Sequence, residues 1–549
     1  MPILHWLNKE EAVATAKKSE YRLLEEIPEL SYGDQDNENL LVQGDNLEAL
    51  KALLPFYAGK VKCVFIDPPY NTGSAFENYD DNLEHGIWLS LMYSRIELLH
   101  SLLSEDGYIC CHIDDSEGAY LKVLLDEIFG RSNYQNTFYT QVRYSDKTLK
   151  EDMAFHKQIE YVHIYRKSYS AKPNKPVVSA NFDKFCFSIN LTGSPSSISE
   201  FGGKCVEVYS PENYEIVQSQ EGSVEGLKEI WATGSILDGN SSGRFFRDYL
   251  AGRVDDDGLG ALYKVEGIGE DIYDYRFFTG PKKKSATKGK YYQGVPISKL
   301  EKTTKEVPIP NFYDLADRFG NCRHEGGVDF RSGKKPEHYL ELILNRFSNE
   351  GDLILDSFLG SGSTAAVALK MNRKFIGIEI GEHATTHCRK RLKNVIDGDA
   401  TGISDGVGWQ GGGGFRFCEL GSVIFDEFGS LSTEIHFSSL AAYIWYLETK
   451  QPIKQEQLVS LDSPFLGDHN DVAYYLLFNG ILGDRRPQGG NVLTSKVLDS
   501  LPDIEGNMLA ARNGEKLIVV YGESSRLGEA RLRQAGIEFK QIPYDVGPL

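Results

Sequence analysis

Cysteine is scarce in this chain, 8 in 549 residues, and no two of them form a C-x-x-C. That excludes a disulfide framework. The adjacent Cys110 and Cys111 sit in an apolar run, where buried thiols are expected. No apolar run approaches the ~18 residues of a membrane-spanning helix. Met1 to Glu11 carries Lys9, Glu10 and Glu11 where a secretory signal needs an apolar stretch, which argues against export and for a reducing cytoplasm. A G-x-x-x-x-G-K-[ST] loop is absent, which disfavours a P-loop nucleotidase. No His, Cys and acid cluster has metal-ligand spacing, so no metal is expected. Excess positive charge is missing too: 59 Lys+Arg stand against 79 Asp+Glu, a net of −20. Such a balance argues against a nucleic-acid partner, but only on average. From Asp271 to Pro310, nine Lys and Arg face four acids, a local net of +5.

What is present is ordinary globular composition, 41% hydrophobic and 25% charged, with length for roughly three domains. Residues 40–135 alternate short apolar runs with helical periods. Leu40–Gln43 reads as a strand, and Leu47 to Leu54 as a helix. Val61 to Ile66 reads as a strand buried on both faces. Trp88, Leu91, Met92, Ile96, Leu99 and Leu103 recur at helical spacing up to a stop at Gly107. Tyr108 to Ile113 is a further strand and Ala119 to Phe129 a further helix. The pattern fades over 136–330 and returns after Pro336. There a strand over 352–358, a glycine turn, a helix from Ser363, a strand over 374–380 and a helix over 382–395 are expected. This alternation predicts an α/β, doubly wound parallel sheet. The glycine-dense 401–419 reads as a linker, residues 1–39 as an N-terminal extension, and 420–549 as a C-terminal α/β domain.

Two motifs carry chemistry. Asp67-Pro68-Pro69-Tyr70 closes the Val61–Ile66 strand. Two prolines remove two amide donors, leaving the Asp67 carboxylate and the Pro68 carbonyl as an acceptor-only corner beside an aromatic face. An exocyclic amino group on a base needs such a corner: two acceptors for two N–H bonds, and a ring to stack on. Alone, the four residues equally describe a strand-ending turn with a core tyrosine. The second motif, Asp356-Ser357-Phe358-Leu359-Gly360-Ser361-Gly362-Ser363-Thr364, follows a strand and opens a helix, as a nucleotide-type cofactor loop requires. Glu379 ends the next strand, seventeen residues after Gly362, where an acid commonly accepts from ribose hydroxyls.

Together the motifs resemble the amino-methylating DNA methyltransferases that use S-adenosylmethionine (AdoMet). Their order, with Asp-Pro-Pro-Tyr about 290 residues before the glycine loop, is similar to that of the circularly permuted β group. The stretches Tyr70-Asn71-Thr72-Gly73, Trp88-Leu89-Ser90-Leu91-Met92, Ile113-Asp114-Asp115, Lys335-Pro336 and Gly411 to Phe417 resemble the modification subunits of type III restriction–modification systems. The tail Tyr521-Gly522-Glu523 with Arg526 is similar to theirs as well. The resemblance implies a Rossmann-like methyltransferase sheet over 40–135, the target-amino half, and 331–400, the AdoMet half. It implies that Asp67 and Pro68 hold the target amino group, Pro69 fixes the turn and Tyr70 stacks on an extruded base. Asp356, Phe358, Gly360 and Gly362 would form the AdoMet loop and Glu379 would bind its ribose. Asp45 would contact the adenine of AdoMet, and Lys335 would lie near its methionine end. For Asp114 and Asp115, a strand-end or helix-capping role stands beside one in the target pocket. Family members whose motif begins with Asp mostly act on adenine N6.

The region 136–330 is then the expected target-recognition insert. It carries the basic segment, where Lys282, Lys283, Lys284, Lys288 and Lys290 are the candidates for phosphate contact. Its clustered aromatics and arginines (Arg244 to Arg247, Tyr275 to Phe278, Tyr291 to Gln293) would be either base readers or simply the insert's core. From Gly421 on, 17 acids stand against 11 Lys and Arg, which points to a protein interface rather than DNA. The expected partners are double-stranded DNA, a second copy of the chain and a restriction subunit with nuclease and ATPase activity. The alternatives are a solitary or cytosine-N4 methyltransferase, or a catalytically silent DNA-recognition scaffold.

Overall fold

In the computed structural model, continuous apolar runs become strands covered on both faces. The structure describes residues 3–18, 20–34, 37–71, 83–146, 155–179, 181–232, 241–286, 288–301, 304–330, 333–425, 431–454, 463–481 and 483–546. Two units emerge: Met1–Asn174 with Pro310–Leu549, and Lys175–Ile309.

The larger unit is built on one sheet. Its strand order is Arg22–Glu26, Gly414–Val423, Leu40–Gln43, Lys374–Glu379, Leu353–Asp356, Val61–Ile66, Leu103–Ile113, Ile159–Arg166, Tyr134–Gln141, Phe312–Asp314. The run from Gly414–Val423 to Leu103–Ile113 is parallel throughout. Ile159–Arg166 then lies antiparallel to both its neighbours. Side-chain alternation explains why the central strands have no polar face. Val64 and Ile66 join the core beneath the helices Asn46–Tyr57 and His85–Leu102. Phe65, on the other face, meets Tyr339 of the helix Glu337–Phe347 edge-on at 6.0 Å. This is the expected doubly wound α/β sheet, with its two halves supplied by chain segments far apart.

Several boundaries differ from the sequence reading. The block 136–330 is not one body. Tyr134–Gln141, Ile159–Arg166 and Phe312–Asp314 complete the main sheet, so the separate unit is the shorter Lys175–Ile309. These strands escaped notice because they are aromatic and polar rather than uniformly apolar. Residues 401–419 are not simply a linker. Gly411, Gly412 and Gly413 all have positive φ, and the chain then enters the strand Gly414–Val423 beside Leu40–Gln43. Phe415 and Phe417 are buried there. The extension 1–39 contributes the edge strand Arg22–Glu26. The helix expected to run to Gly107 ends at Leu102, and the strand begins at Leu103.

The C-terminal part forms a four-stranded sheet, Phe465–His469, Val472–Leu476, Leu517–Gly522, Ile537–Gln541. Val519 and Tyr521 pack towards the helix Phe437–Thr449, whereas Ile518 and Val520 pack on the opposite face. It belongs to the same compact unit as the main sheet.

The unit Lys175–Ile309 holds a six-stranded antiparallel sheet, Ser197–Phe201, Lys204–Tyr209, Leu262–Glu266, Tyr275–Thr279, Gly289–Gln293, Lys228–Ala232. Phe245, Phe246, Phe277, Phe278, Tyr291 and Tyr292 are buried in it, and Arg276 is buried against Asp271. The clustered aromatics are therefore core.

Candidate active site

Register alone brings the two motifs together. Ile354 pairs with Cys63 and Leu355 with Val64 in a parallel ladder, so Asp356 and Asp67 emerge at neighbouring carboxyl ends. These two strands are also where the winding direction reverses: Val61–Ile66 is followed by Leu103–Ile113 on one side, and Leu353–Asp356 by Lys374–Glu379 on the other. Crevices for ligands form at such switch points.

Asp67 is the most constrained member. Its Oδ2 accepts from the Lys335 ammonium, while its Oδ1 is buried and accepts nothing among the described residues. The Pro69 carbonyl is taken by the indole N–H of fully buried Trp88 at 2.8 Å. No described backbone N–H or side chain donates to the Pro68 carbonyl. The Lys335 ammonium also stands 5.3 Å from the Tyr70 ring centroid. Behind Tyr70 lies a polar chain that sequence reasoning missed. The Tyr70 hydroxyl donates to Glu160 Oε2 at 3.1 Å. His112 Nε2 lies 3.0 Å from the same oxygen, and His112 Nδ1 lies 3.2 Å from the Tyr339 hydroxyl. Burial works to raise the Glu160 titration, but the adjoining His112 imidazole, with Lys335 and Arg143, brings it down to about 2. The Tyr70 hydroxyl is pushed well above its ordinary range by burial, and further by the Asp67 and Glu160 charges. One signal could have pointed here: a histidine inside the apolar run Tyr108–Ile113 must find a partner once buried.

The glycine loop is held from below. Asp356 accepts from the Phe358 amide at 3.0 Å and from the Thr364 hydroxyl at 2.6 Å. Burial, with smaller contributions from Asp67 and Glu379, nevertheless raises its titration to about 7. Glu379 Oε2 accepts from the Gly360 amide at 2.7 Å. Gly360 has φ +56°, and among the described residues a Cβ there would meet only the Phe358 carbonyl, 4.0 Å away, with the space above it open. Gly362 has φ +79°, and its Cβ would press on Cys388 at 3.2 Å, so glycine is required for the helix to pack closely. The Ser357 hydroxyl is buried without a partner among the described residues. Arg391, fully buried, donates to Ser363 at 2.6 Å and to Glu337 at 2.7 Å, tying the loop to the helix that follows Lys335.

Asp67, Pro68, Pro69, Tyr70, Lys335, Asp356, Phe358, Gly360, Gly362 and Glu379 thus gather at one end of the sheet. Asp45 sits at the adjacent strand end, where it caps the next helix at the Leu47 amide (2.8 Å) and pairs with Arg95 at 3.0 Å. Asp114 turns out to cap a turn, accepting from the Ser116 amide at 2.8 Å, and Asp115 pairs with Lys157. In the other unit, Lys282, Lys283, Lys284 and Lys288 are exposed. Lys290 is not a free cation: it pairs with Glu229 at 2.6 Å and lies over the Trp231 ring. Thr72, Gly73 and the rest of 72–82 lie outside the described residues. Among the described residues, no group of three His, Cys, Asp or Glu is arranged to hold a metal ion.

The chain is similar in sequence to several known proteins. The chain is 32% identical over 409 residues to a probable type III restriction-modification enzyme HindVI Mod subunit of Haemophilus influenzae, covering 70% of this chain and 54% of that one. It is 25% identical over 423 residues to the type III restriction-modification enzyme EcoPI Mod subunit of Escherichia phage P1, covering 68% and 62%. It is 27% identical over 361 residues to the type II methyltransferase M.EcaI of Enterobacter cloacae, covering 64% and 69%. The chain therefore spans little more than half the length of the first of these relatives. A family model described as DNA methylase matches residues 61–390. That match takes in both motifs and more than half of the chain, and the chain belongs to the N6/N4 DNA methylase family.

Proposed function

We propose that this protein transfers a methyl group from AdoMet to adenine N6 in duplex DNA, at a specific sequence, as the modification subunit of a type III restriction–modification system. The observation that carries this reading is the convergence of the Asp67–Tyr70 corner and the Phe358–Gly362 loop at the carboxyl ends of two adjacent parallel strands.

The residues fit AdoMet. Open space over Gly360, the partnerless Ser357 hydroxyl and the orphaned Asp67 Oδ1 are what a crevice built for a polar ligand leaves behind. Asp356, Phe358, Gly360 and Gly362 would hold it, with Glu379 at the ribose, Asp45 towards the adenine and Lys335 towards the methionine carboxylate. The bound group supplies a methyl already activated by a sulfonium. The chain's own task is to present the acceptor nitrogen. Asp67 Oδ1 and the Pro68 carbonyl would take the two N–H bonds of the amino group, which directs its lone pair out of ring conjugation. A base stacked in a duplex cannot reach that corner, so it is rotated out at a cost of a few kcal/mol. Stacking on Tyr70 returns ~1–3 kcal/mol. Asp as the first residue of the motif, together with type III Mod subunits among the relatives, favours adenine over cytosine.

The unit Lys175–Ile309 would read the DNA sequence, with Lys282, Lys283, Lys284 and Lys288 at phosphates. The acidic C-terminal sheet would face a second copy of the chain or a restriction subunit. Incubation with [methyl-³H]AdoMet and mixed-sequence duplex DNA tests the reading. Label in DNA is expected, and it disappears with Asp67→Ala. Sequence-specific DNA binding without label would replace it with a silent recognition scaffold.

A further inference from the structure

Lys335 occupies the place the target base would need. Its ammonium takes Asp67 Oδ2 and stands over the Tyr70 face at 5.3 Å. The ammonium thus stands where a stacked ring would lie and holds the second Asp67 oxygen, from a side chain that is only 8% exposed. A base stacked on that face of Tyr70 cannot coexist with this arrangement, whereas the Asp67 Oδ1 meant for its amino group stays open.

The residues flanking Lys335 are tied down, so side-chain rotation is the route by which its ammonium would leave. Lys334 donates to the carbonyls of Arg323, Glu325 and Val328. Glu337, fully buried, is gripped by Lys370 and Arg391. A departing ammonium needs a new anion, and the nearby acids are already engaged. Glu160 serves His112 and Tyr70, Glu379 accepts from the Gly360 amide, and Asp356 accepts from Phe358 and Thr364. A carboxylate that arrives with a ligand would supply one.

We propose that Lys335 bars the base pocket in the free enzyme and is drawn off Asp67 by the carboxylate of the bound cofactor, so that cofactor binding precedes base extrusion. This rests on the function proposed above and adds an order of binding to it. Lys335 acts as a positioning residue with two alternative anions. The coupling is reciprocal: extruded base and cofactor each tighten the other, by roughly 5- to 150-fold if the coupling is of ordinary size.

The test uses the full chain and duplex DNA with 2-aminopurine at the methylated position, whose fluorescence rises when the base leaves the stack. With wild type, S-adenosylhomocysteine is expected to raise the signal. Methylthioadenosine, which lacks the amino-acid carboxylate, is expected to leave it low. Lys335→Met is expected to give the raised signal with no cofactor present, and Lys335→Arg to restore the dependence. The inference is overturned if Lys335→Met still requires S-adenosylhomocysteine, or if methylthioadenosine opens wild type as well as S-adenosylhomocysteine does. The two-ligand comparison on wild type decides the matter even if Lys335→Met fails to fold. Absence of wild-type methyl transfer would sink the proposed function, whereas methyl transfer without cofactor-dependent extrusion sinks this inference alone.

Discussion

Replacing Glu160 probes the part of the site least visible in the sequence. Its carboxylate holds the Tyr70 hydroxyl at 3.1 Å and lies 3.0 Å from His112, with only 13% of the side chain exposed. Hydrogen bonds to charged groups are worth ~1.5–3 kcal/mol, and base stacking on an aromatic ring ~1–3 kcal/mol. Glu160→Ala removes the acceptor that orients the Tyr70 ring and leaves His112 buried beside a void. Losing the oriented stack costs about 1–3 kcal/mol, or roughly a 5- to 150-fold rise in KM for DNA. AdoMet affinity should stay within about twofold, because the Gly360 loop is held by Glu379, Asp356 and Arg391 instead. Glu160→Gln keeps an acceptor for Tyr70 and should fall between wild type and Glu160→Ala. The assay is steady-state methyl transfer with DNA varied, alongside calorimetric cofactor binding. Wild-type KM in Glu160→Ala, or an equal loss of cofactor binding, would refute the reasoning.

Other outcomes follow from the same geometry. Asp67→Ala should abolish methyl transfer yet leave AdoMet binding nearly intact, as calorimetry on the variant would show. Asp356, raised from 3.8 to about 7 in the fold, retains a proton there that the unfolded chain has already lost. Its contribution to stability is complete below about pH 4 and is lost as pH rises to about 7, a change on the order of 4 kcal/mol. Asp356→Asn should flatten that slope in denaturant titrations across the window, and an unchanged slope would remove Asp356 as its source. Neutralising Lys282, Lys283 and Lys284 should weaken DNA binding and reduce its salt dependence. An unchanged salt slope would take those lysines off the DNA.

The sheet's centre was legible because its strands lack polar alternation. Val61–Ile66 and Lys374–Glu379 stand where their apolar runs predict. Asp67 and Gly360 were each recognisable from local chemistry, but their adjacency is a matter of register between segments about 290 residues apart. The sheet's margins were not legible. In Gly414–Val423, glycines that satisfy positive φ at the strand's entrance look like a linker, and only the spacing of Phe415 and Phe417 marks a buried face. Partnerships across strands were equally hidden. Lys290 lies directly opposite Trp231 in the antiparallel ladder and two residues from Glu229, which local charge counting cannot reveal. Glu160 meets Tyr70 and His112 only once Ile159–Arg166 has folded back antiparallel to Leu103–Ile113.

The most direct measurement is methylation-aware sequencing of DNA from cells that express this protein alone, beside cells that express Asp67→Ala. N6-methyladenine at one defined sequence in the first, and none in the second, is the predicted result. Unmodified DNA in the first, or the same marks in both, would contradict the claim that the Asp67–Tyr70 corner and the Phe358–Gly362 loop form one methyl-transfer site.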